Sequence, residues 1–393
     1  MGLLKRLDSI INAPPPHALR VRALVDYYYS HGARLYHSQH SNGGRPLTEL
    51  VSELEWRQVA PGLFHANLKA LEENGPIYAN FLKVDPERIK IQVANCREQT
   101  GDLSEHCIQE RAVAAVSGGY FLYSESDIEP PSQRYDPVGL LLSNGMVHNP
   151  PVFRRSSLLI GSRGTIALKP LGLQRLEILV DHKVLKVSDV WNRARGFSGP
   201  PQPSVSIVGN MITAVGTSLK IPLNGFVLPV SDTSGLKPGD PVQYKPPRMN
   251  ETEYAVEGIA GGPMIVSQGR PVLNMREEDF WGITPPVTFS QDETGDQNLL
   301  ARLAVGLDAE NHLIFAAVDG RNFESALGMT LSEIANLMII YGCHTAINLD
   351  GGSSKRMLVN GEVVDLPSTE LVSKRDSRQR IRHVYTAILL SSL

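Results

Sequence analysis

Three times in this chain an apolar run ends in a pair of glycines. Residues 112–116 lead through Ser117 to Gly118-Gly119, residues 258–260 lead to Gly261-Gly262-Pro263, and residues 345–349 lead through Asp350 to Gly351-Gly352-Ser353-Ser354. Consecutive glycines at a strand end allow positive φ and let backbone N–H groups come close to a ligand. Such amides can form an anion-binding nest, although a glycine pair is equally at home in a plain tight turn. The first and last pairs are also flanked by groups with chemistry to offer: Tyr120, Asp350, Ser353 and Ser354. With 34 glycines and 27 prolines in 393 residues, turns are frequent and strands should be short and numerous.

The pattern along the chain agrees. Residues 88–94 alternate with period two, as a half-buried strand does. Residues 62–68 and 76–84 flank a Glu72-Glu73-Asn74-Gly75 turn, and residues 138–142 and 146–148 flank Ser143-Asn144-Gly145, both read as hairpins. Residues 221–228 are the clearest strand segment of the middle region. In the last third, 303–307 and 313–318 are strands around a turn, and Thr330 with Glu333 has capping-box spacing for a helix ending near Gly342. Asn360-Gly361 closes a further hairpin. The order helix, buried strand, Gly-Gly occurs at 104–119 and again at 330–352, which reads as a degenerate internal duplication. The expected fold is α+β, with mixed, strand-rich sheets and a few helices. Residues 1–58 are read as a helical extension, with a helix at 18–30, and residues 59–393 as the main domain.

Composition narrows the function classes. At 42% hydrophobic and 20% charged, the chain has the make-up of a folded globular protein. A net charge of −3 gives no electrostatic reason to expect nucleic acid as partner. No apolar run reaches the length of a membrane span and no secretory signal is visible, so a cytoplasmic location is the default expectation. Three cysteines (Cys96, Cys107, Cys343) make no disulfide framework or zinc spacing. A Cys96–Cys107 bridge is conceivable, with three buried free thiols the preferred reading.

Asp350 and Asp319 each follow an apolar strand, where an ionised carboxylate is costly unless paired or put to use. If neighbouring strands bring them to one edge, two carboxylates could divide acid and base roles; each could equally accept hydrogen bonds from loop amides. Arg302, Arg321 and Arg382 are the arginines best placed near these corners, and a guanidinium suits forked contact with phosphate oxygens. His344 and His383 are further acid–base candidates. No cofactor is called for; a divalent cation such as Ca²⁺ near Asp319 or Asp350 is compatible with the residues, but their spacing is not diagnostic.

These segments resemble, in order, the phosphodiester glycosidase family. Ser117-Gly118-Gly119-Tyr120-Phe121 is similar to the family's Asn-Gly-Gly-Phe-Phe, and Pro137-Val138-Gly139-Leu140 to its next strand. Residues 221–228 and 258–263 resemble its central strand and Gly-Gly-Pro turn, and 302–308 its Arg-Thr-Ala-Ile-Gly segment. Residues 318–321 resemble an Asp-Gly strand end and 328–331 its helix start. Ala346-Ile347-Asn348-Leu349-Asp350-Gly351-Gly352-Ser353-Ser354 is similar to Ala-Ile-Asn-Leu-Asp-Gly-Gly-Gly-Ser, and 382–386 to its terminal Arg-x-Val strand. Ser117 stands where the family has Asn, and Ser353 where it has a third Gly, with Lys355 and Arg356 adding positive charge. The resemblance implies a hydrolase cleaving a sugar-1-phosphodiester in a small molecule or glycan. Asp350 and Asp319 would do acid–base work. Gly118, Gly119, Tyr120, Gly261, Gly262, Arg302, Arg321, Gly351, Gly352, Ser353, Ser354 and Arg382 would hold the sugar and phosphate. The alternative is a non-catalytic domain of the same fold that binds glycans or phosphorylated ligands.

Overall fold

The computed structural model describes residues 43–97, 103–122, 128–181, 183–185, 187, 189–280, 299–322, 325–366, 368 and 383–393. The helix expected at 18–30 and Arg382 lie outside them. Among the described residues, twenty-four strands form five sheets. The largest has eight strands in the order Arg57–Ala60, Leu63–Glu72, Gly75–Val84, Leu313–Val318, Arg302–Asp308, Cys343–Asn348, Met264–Ser267, Arg270–Pro271. Every neighbouring pair in it is antiparallel. The other four sheets are antiparallel as well. The expected mixed pairing is therefore corrected: neighbouring strands run antiparallel, whether joined by hairpins or brought together from distant parts of the chain.

The central strands of the large sheet are buried on both faces. On Arg302–Asp308 and Leu313–Val318, Ala304, Ile314, Ala316 and Val318 join a core that includes Leu331, Ile334, Leu337 and Met338. The alternate residues Leu303, Val305, Leu313 and Phe315 join a second core with Ile91, Val93, Val116 and Ile388. Period-two alternation thus feeds two layers at once. The first layer is the helix Leu331–Ile340, started by a complete capping box: Glu333 N donates to Thr330 Oγ1 (3.2 Å) and Thr330 N to Glu333 Oε2 (2.8 Å). Gly306 lets that helix sit close, since a Cβ there would lie 2.8 Å from Met338 Cε.

The second layer is a five-stranded sheet in the order Glu362–Val363, Met357–Val359, Ala114–Ser117, Thr386–Ser392, Ile89–Asn95. Another five-stranded sheet runs Met146–Asn149, Leu141–Ser143, Ala255–Ala260, Arg155–Gly161, Ile166–Leu171. Two three-stranded sheets, one containing Gly225–Pro229, complete the fold.

The internal duplication is not displayed. Ala114–Ser117 lies between Met357–Val359 and Thr386–Ser392, whereas Cys343–Asn348 lies in the other large sheet between Arg302–Asp308 and Met264–Ser267. The boundary drawn at residue 58 falls inside the strand Arg57–Ala60, which pairs with Leu63–Glu72. Cys96, Cys107 and Cys343 are buried free thiols, and burial pushes the Cys96 thiol up to about 12. Among the described residues, no helix is long and apolar enough to cross a membrane.

Candidate active site

Register decides what meets at the edge of the large sheet. Arg302 faces Val318 on one side, and Ala304 faces Asn348 on the other. The two flanking strands run the same way, so Asp319 and Asp350 leave the sheet at the edge where Arg302 enters it. The expectation that neighbouring strands bring both aspartates to one edge is met.

The three glycine pairs converge on this edge. Asp350 N donates to Gly118 O (3.2 Å), Gly262 N to Asn348 O (2.7 Å) and Gly352 N to Ala301 O (2.9 Å). Cβ atoms at Gly119, Gly261 and Gly351 would lie 2.3 Å from Ala260 O, 2.4 Å from Asn348 O and 2.6 Å from Ala301 O. Strand ends touch backbone to backbone, at Gly119 and Gly261 between separate sheets and at Gly351 within the largest one, and only glycine permits such approach.

This geometry corrects the anion nest expected at these pairs. Gly118 N donates to Thr386 O, Gly119 N to Thr386 Oγ1, Gly261 N to Ser156 O, Gly262 N to Asn348 O, and Gly352 N to Ala301 O. Those five amides hold the corners together. At the last corner the positive φ belongs to Gly352 (58°), and Ser353 lies in the short 3₁₀ turn Gly352–Ser354. A serine in place of a third glycine therefore costs no backbone strain. Ser354 is buried and Ser353 half-buried. Ser117 accepts Arg356 N on its hydroxyl (3.0 Å).

Tyr120 is the hub. Its hydroxyl donates to Gly262 O (2.9 Å) and accepts from Asn348 Nδ2 (2.7 Å). Burial pushes the phenol above its usual value; the Asp350 charge adds to this, and Arg155 and Arg302 oppose it. One tyrosine thus feels a carboxylate and two guanidinium groups together. Asp350 is 8% exposed. Arg302 is buried, with Nε donating to Met329 O (3.0 Å).

Arg155 and Glu278 escaped the sequence reading. Arg155 stacks 3.4 Å over the Phe280 ring and donates Nη2 to Asp279 O (3.2 Å); burial brings it down to about 10, so it remains a cation at neutral pH. Glu278 accepts Ser156 N (2.7 Å) and Met264 N (2.8 Å), and burial raises its carboxyl. The sole sequence cue was an arginine separated by two serines from an apolar run at 158–160.

Asp319 has a different setting. Lys355 Nζ binds Asp319 Oδ1 (2.7 Å) and Asp365 Oδ2 (2.8 Å), and Arg356 Nη1 also reaches Asp365 Oδ2 (2.9 Å). The Lys355 side chain is 0% exposed and that of Asp319 1%. The positive charge expected at the cleft from Lys355 and Arg356 is thus buried and matched by two carboxylates. Arg321 follows Gly320 with a φ of 50°, and its amide bonds Leu327 O (3.2 Å). His344 is exposed near the opposite end of its strand, where Cys343 pairs with Asp308, and His383 is exposed too. Among the described residues, a trio of His, Cys, Asp or Glu close enough to share an ion occurs at Asp308, Glu310 and His312. That trio lies at the far end of the Arg302 strand, about 20 Å from the corners.

Residues 227–390 match the sequence model of the phosphodiester glycosidase family. The N-acetylglucosamine-1-phosphodiester alpha-N-acetylglucosaminidase of Bos taurus is 37% identical over 81 residues, 19% of this chain and 15% of that protein's length. The chain therefore aligns with only a small part of that relative. A hypothetical protein from Synechocystis superposes with a TM-score of 0.52 at 18% identity, over 86% of this chain and 63% of that one. A putative exported protein from Burkholderia pseudomallei gives 0.51 at 20%, over 81% and 75%. The catalytic domain of zebrafish N-acetylglucosamine-1-phosphodiester alpha-N-acetylglucosaminidase, auto-inhibited by its pro-peptide, gives 0.51 at 15%, over 86% and 87%. At such identities the superpositions establish a shared fold. The segment 227–390, which is similar to the phosphodiester glycosidase family model, holds the Gly261-Gly262 and Gly351-Gly352 corners together with Arg302 and Asp350.

Proposed function

We propose that this protein hydrolyses a sugar-1-phosphodiester at the corner built by Tyr120, Arg302, Asn348 and Asp350. The observation that carries this reading is the meeting of three glycine-paired strand ends around one tyrosine, with a carboxylate and two buried arginines acting on it. Cleaving the bond from an anomeric carbon to phosphate requires a proton donor or acceptor at the bridging oxygen and cations for the phosphate oxygens. Asp350 is the acid–base candidate, and Arg302 and Arg155 supply the positive field. Asp319, sealed against Lys355, holds that ammonium in place and does not share the chemistry with Asp350.

The test is a panel of sugar-1-phosphodiesters, assayed for reducing sugar and phosphomonoester with and without EDTA. Turnover should fall by at least about 100-fold in Asp350→Asn, the scale of losing general acid–base catalysis. Loss of activity with EDTA would assign a divalent cation to the reaction. The Asp319–Lys355 pair engages one of the two carboxylates that such hydrolysis usually employs, which favours a second reading, a glycan- or phospho-ligand-binding domain. Saturable binding without turnover, unchanged in Asp350→Asn, would establish it.

A further inference from the structure

On the far side of the segment that supports Tyr120 lies a second, polar cavity of about 370 Å³, lined by Arg97, Gln133, Asp136, Asn149, Asn210 and Asn224 among others. Its size falls within the roughly 300–1,000 Å³ typical of small-molecule sites. Residues 136–139 form the partition. On one edge Val138 N bonds Tyr120 O (2.8 Å) and Leu122 N bonds Asp136 O (2.9 Å). On the other, Asn224 Nδ2 bonds Pro137 O (3.0 Å) and Asn149 Nδ2 bonds Gly139 O (2.7 Å). The side chains that line the cavity are therefore fixed by the same backbone that fixes the candidate active site.

Two features define what would fit. Arg97 Nη1 is paired with Asp136 Oδ1 at 2.7 Å, so the guanidinium is already neutralised and the cavity offers no surplus positive charge for a phosphate. Asn224 is 1% exposed, and its Oδ1 has no hydrogen-bond partner among the described residues. A buried acceptor without a donor is rare and points to a bound polar group. The side-chain nitrogens of Asn149, Asn210 and Asn224 donate to backbone oxygens, leaving their amide oxygens as acceptors beside the Gln133 amide and the Arg97–Asp136 pair. A ligand matches such a wall when each of its groups both donates and accepts, which describes hydroxyls.

We propose that this cavity is a second binding site, for a neutral monosaccharide held through its hydroxyls. It does not depend on the phosphodiesterase reading: failure of turnover leaves it standing, and its own failure leaves that reading untouched. The test is isothermal titration of the full chain with D-glucose, D-mannose, N-acetylglucosamine and inorganic phosphate. Gln133→Ala/Asn210→Ala removes two exposed amides, and Arg97→Lys keeps the charge but loses the fork. Thermal unfolding checks that both remain folded. At least one sugar should bind, with the same Kd in Asp350→Asn, and the double substitution should weaken it by about tenfold, as loss of two hydrogen bonds would. Arg97→Lys should weaken it also, and phosphate should not compete. The proposal is overturned if none of the three sugars binds. It also fails if binding disappears in Asp350→Asn while surviving both cavity variants, or if phosphate displaces the sugar.

Discussion

The side-chain amide of Asn348 donates to the Tyr120 hydroxyl at 2.7 Å, and that hydroxyl donates onward to Gly262 O at 2.9 Å. Tyr120 follows a strand of the second layer, Gly262 follows Ala255–Ala260, and Asn348 ends a strand of the largest sheet. One phenol thus ties three sheets at the point where their glycine corners meet, and the position of Asp350, two residues past Asn348, is set by that tie.

Tyr120→Phe keeps the ring and deletes the tie. Asn348 Nδ2 retains Leu349 O (2.7 Å) and Gly262 O (3.3 Å) as acceptors, but the bond from the phenol to Gly262 O is lost. The expected cost is about 0.5–1.5 kcal/mol, the net worth of one hydrogen bond whose acceptor keeps another donor. Urea unfolding should show the loss as a lower midpoint with an unchanged slope, and turnover should fall with it because the corner is no longer fixed.

Lys355→Met should be among the most damaging single changes available. It leaves Asp319 and Asp365 buried without their shared ammonium, although Arg356 still reaches Asp365. Breaking a buried ion pair by removing one partner typically costs about 3–5 kcal/mol. Adding Asp319→Asn to Lys355→Met should restore part of the stability. A double-mutant cycle by chemical denaturation measures that coupling, and strict additivity would contradict the pairing.

Much of this site was readable from local pattern. Strand ends, the Thr330–Glu333 cap and the Asn360-Gly361 hairpin follow from periodicity and turn chemistry, and Asp350 stood out as a charge ending an apolar strand. The use of the glycines was not readable, because a nest and a backbone contact demand the same residue, and only the partner strand tells them apart. Arg155 and Glu278 were invisible for a related reason: Arg155 stacks on Phe280 and Glu278 holds the amide of Ser156, partners more than 100 residues away in sequence, with the amide of Met264 completing the carboxylate's bonds. Lys355 read as added positive charge, since its two carboxylates arrive from different loops.

Gly261→Ala distinguishes close approach from simple turn flexibility. A methyl group there would lie 2.4 Å from Asn348 O and 2.7 Å from Leu349 Cδ2, and the backbone oxygen cannot move without breaking its bond from Gly262 N. Overpacking of this kind costs about 1–3 kcal/mol. Gly361→Ala is the useful contrast, since nothing lies within 4 Å of its Cβ position and only its φ of 80° is strained. Both should lower the melting temperature, but only Gly261→Ala should also impair turnover, through displacement of Asn348 and Asp350.

The pH dependence of stability should carry the mark of Asp319. Its carboxyl is raised from 3.8 to about 6, chiefly by burial, with Asp365 adding to the rise and Lys355 opposing it. Lys355 is itself raised, because both carboxylates favour its charged form; on the aspartate, burial outweighs that attraction. Only Oδ1 is bonded, to Lys355 and Leu366 N, while Oδ2 has no hydrogen-bond partner among the described residues. A carboxyl raised in the folded state binds more protons there than in the unfolded chain, so its contribution is fully present below about 3.8 and is lost as pH rises through about 6. Urea midpoints taken every half unit between pH 4 and 8 should therefore fall across that window more steeply in the wild-type protein than in Asp319→Asn, which cannot titrate. Parallel curves for the two proteins would show that Asp319 is ionised throughout and that the ammonium, not burial, governs it.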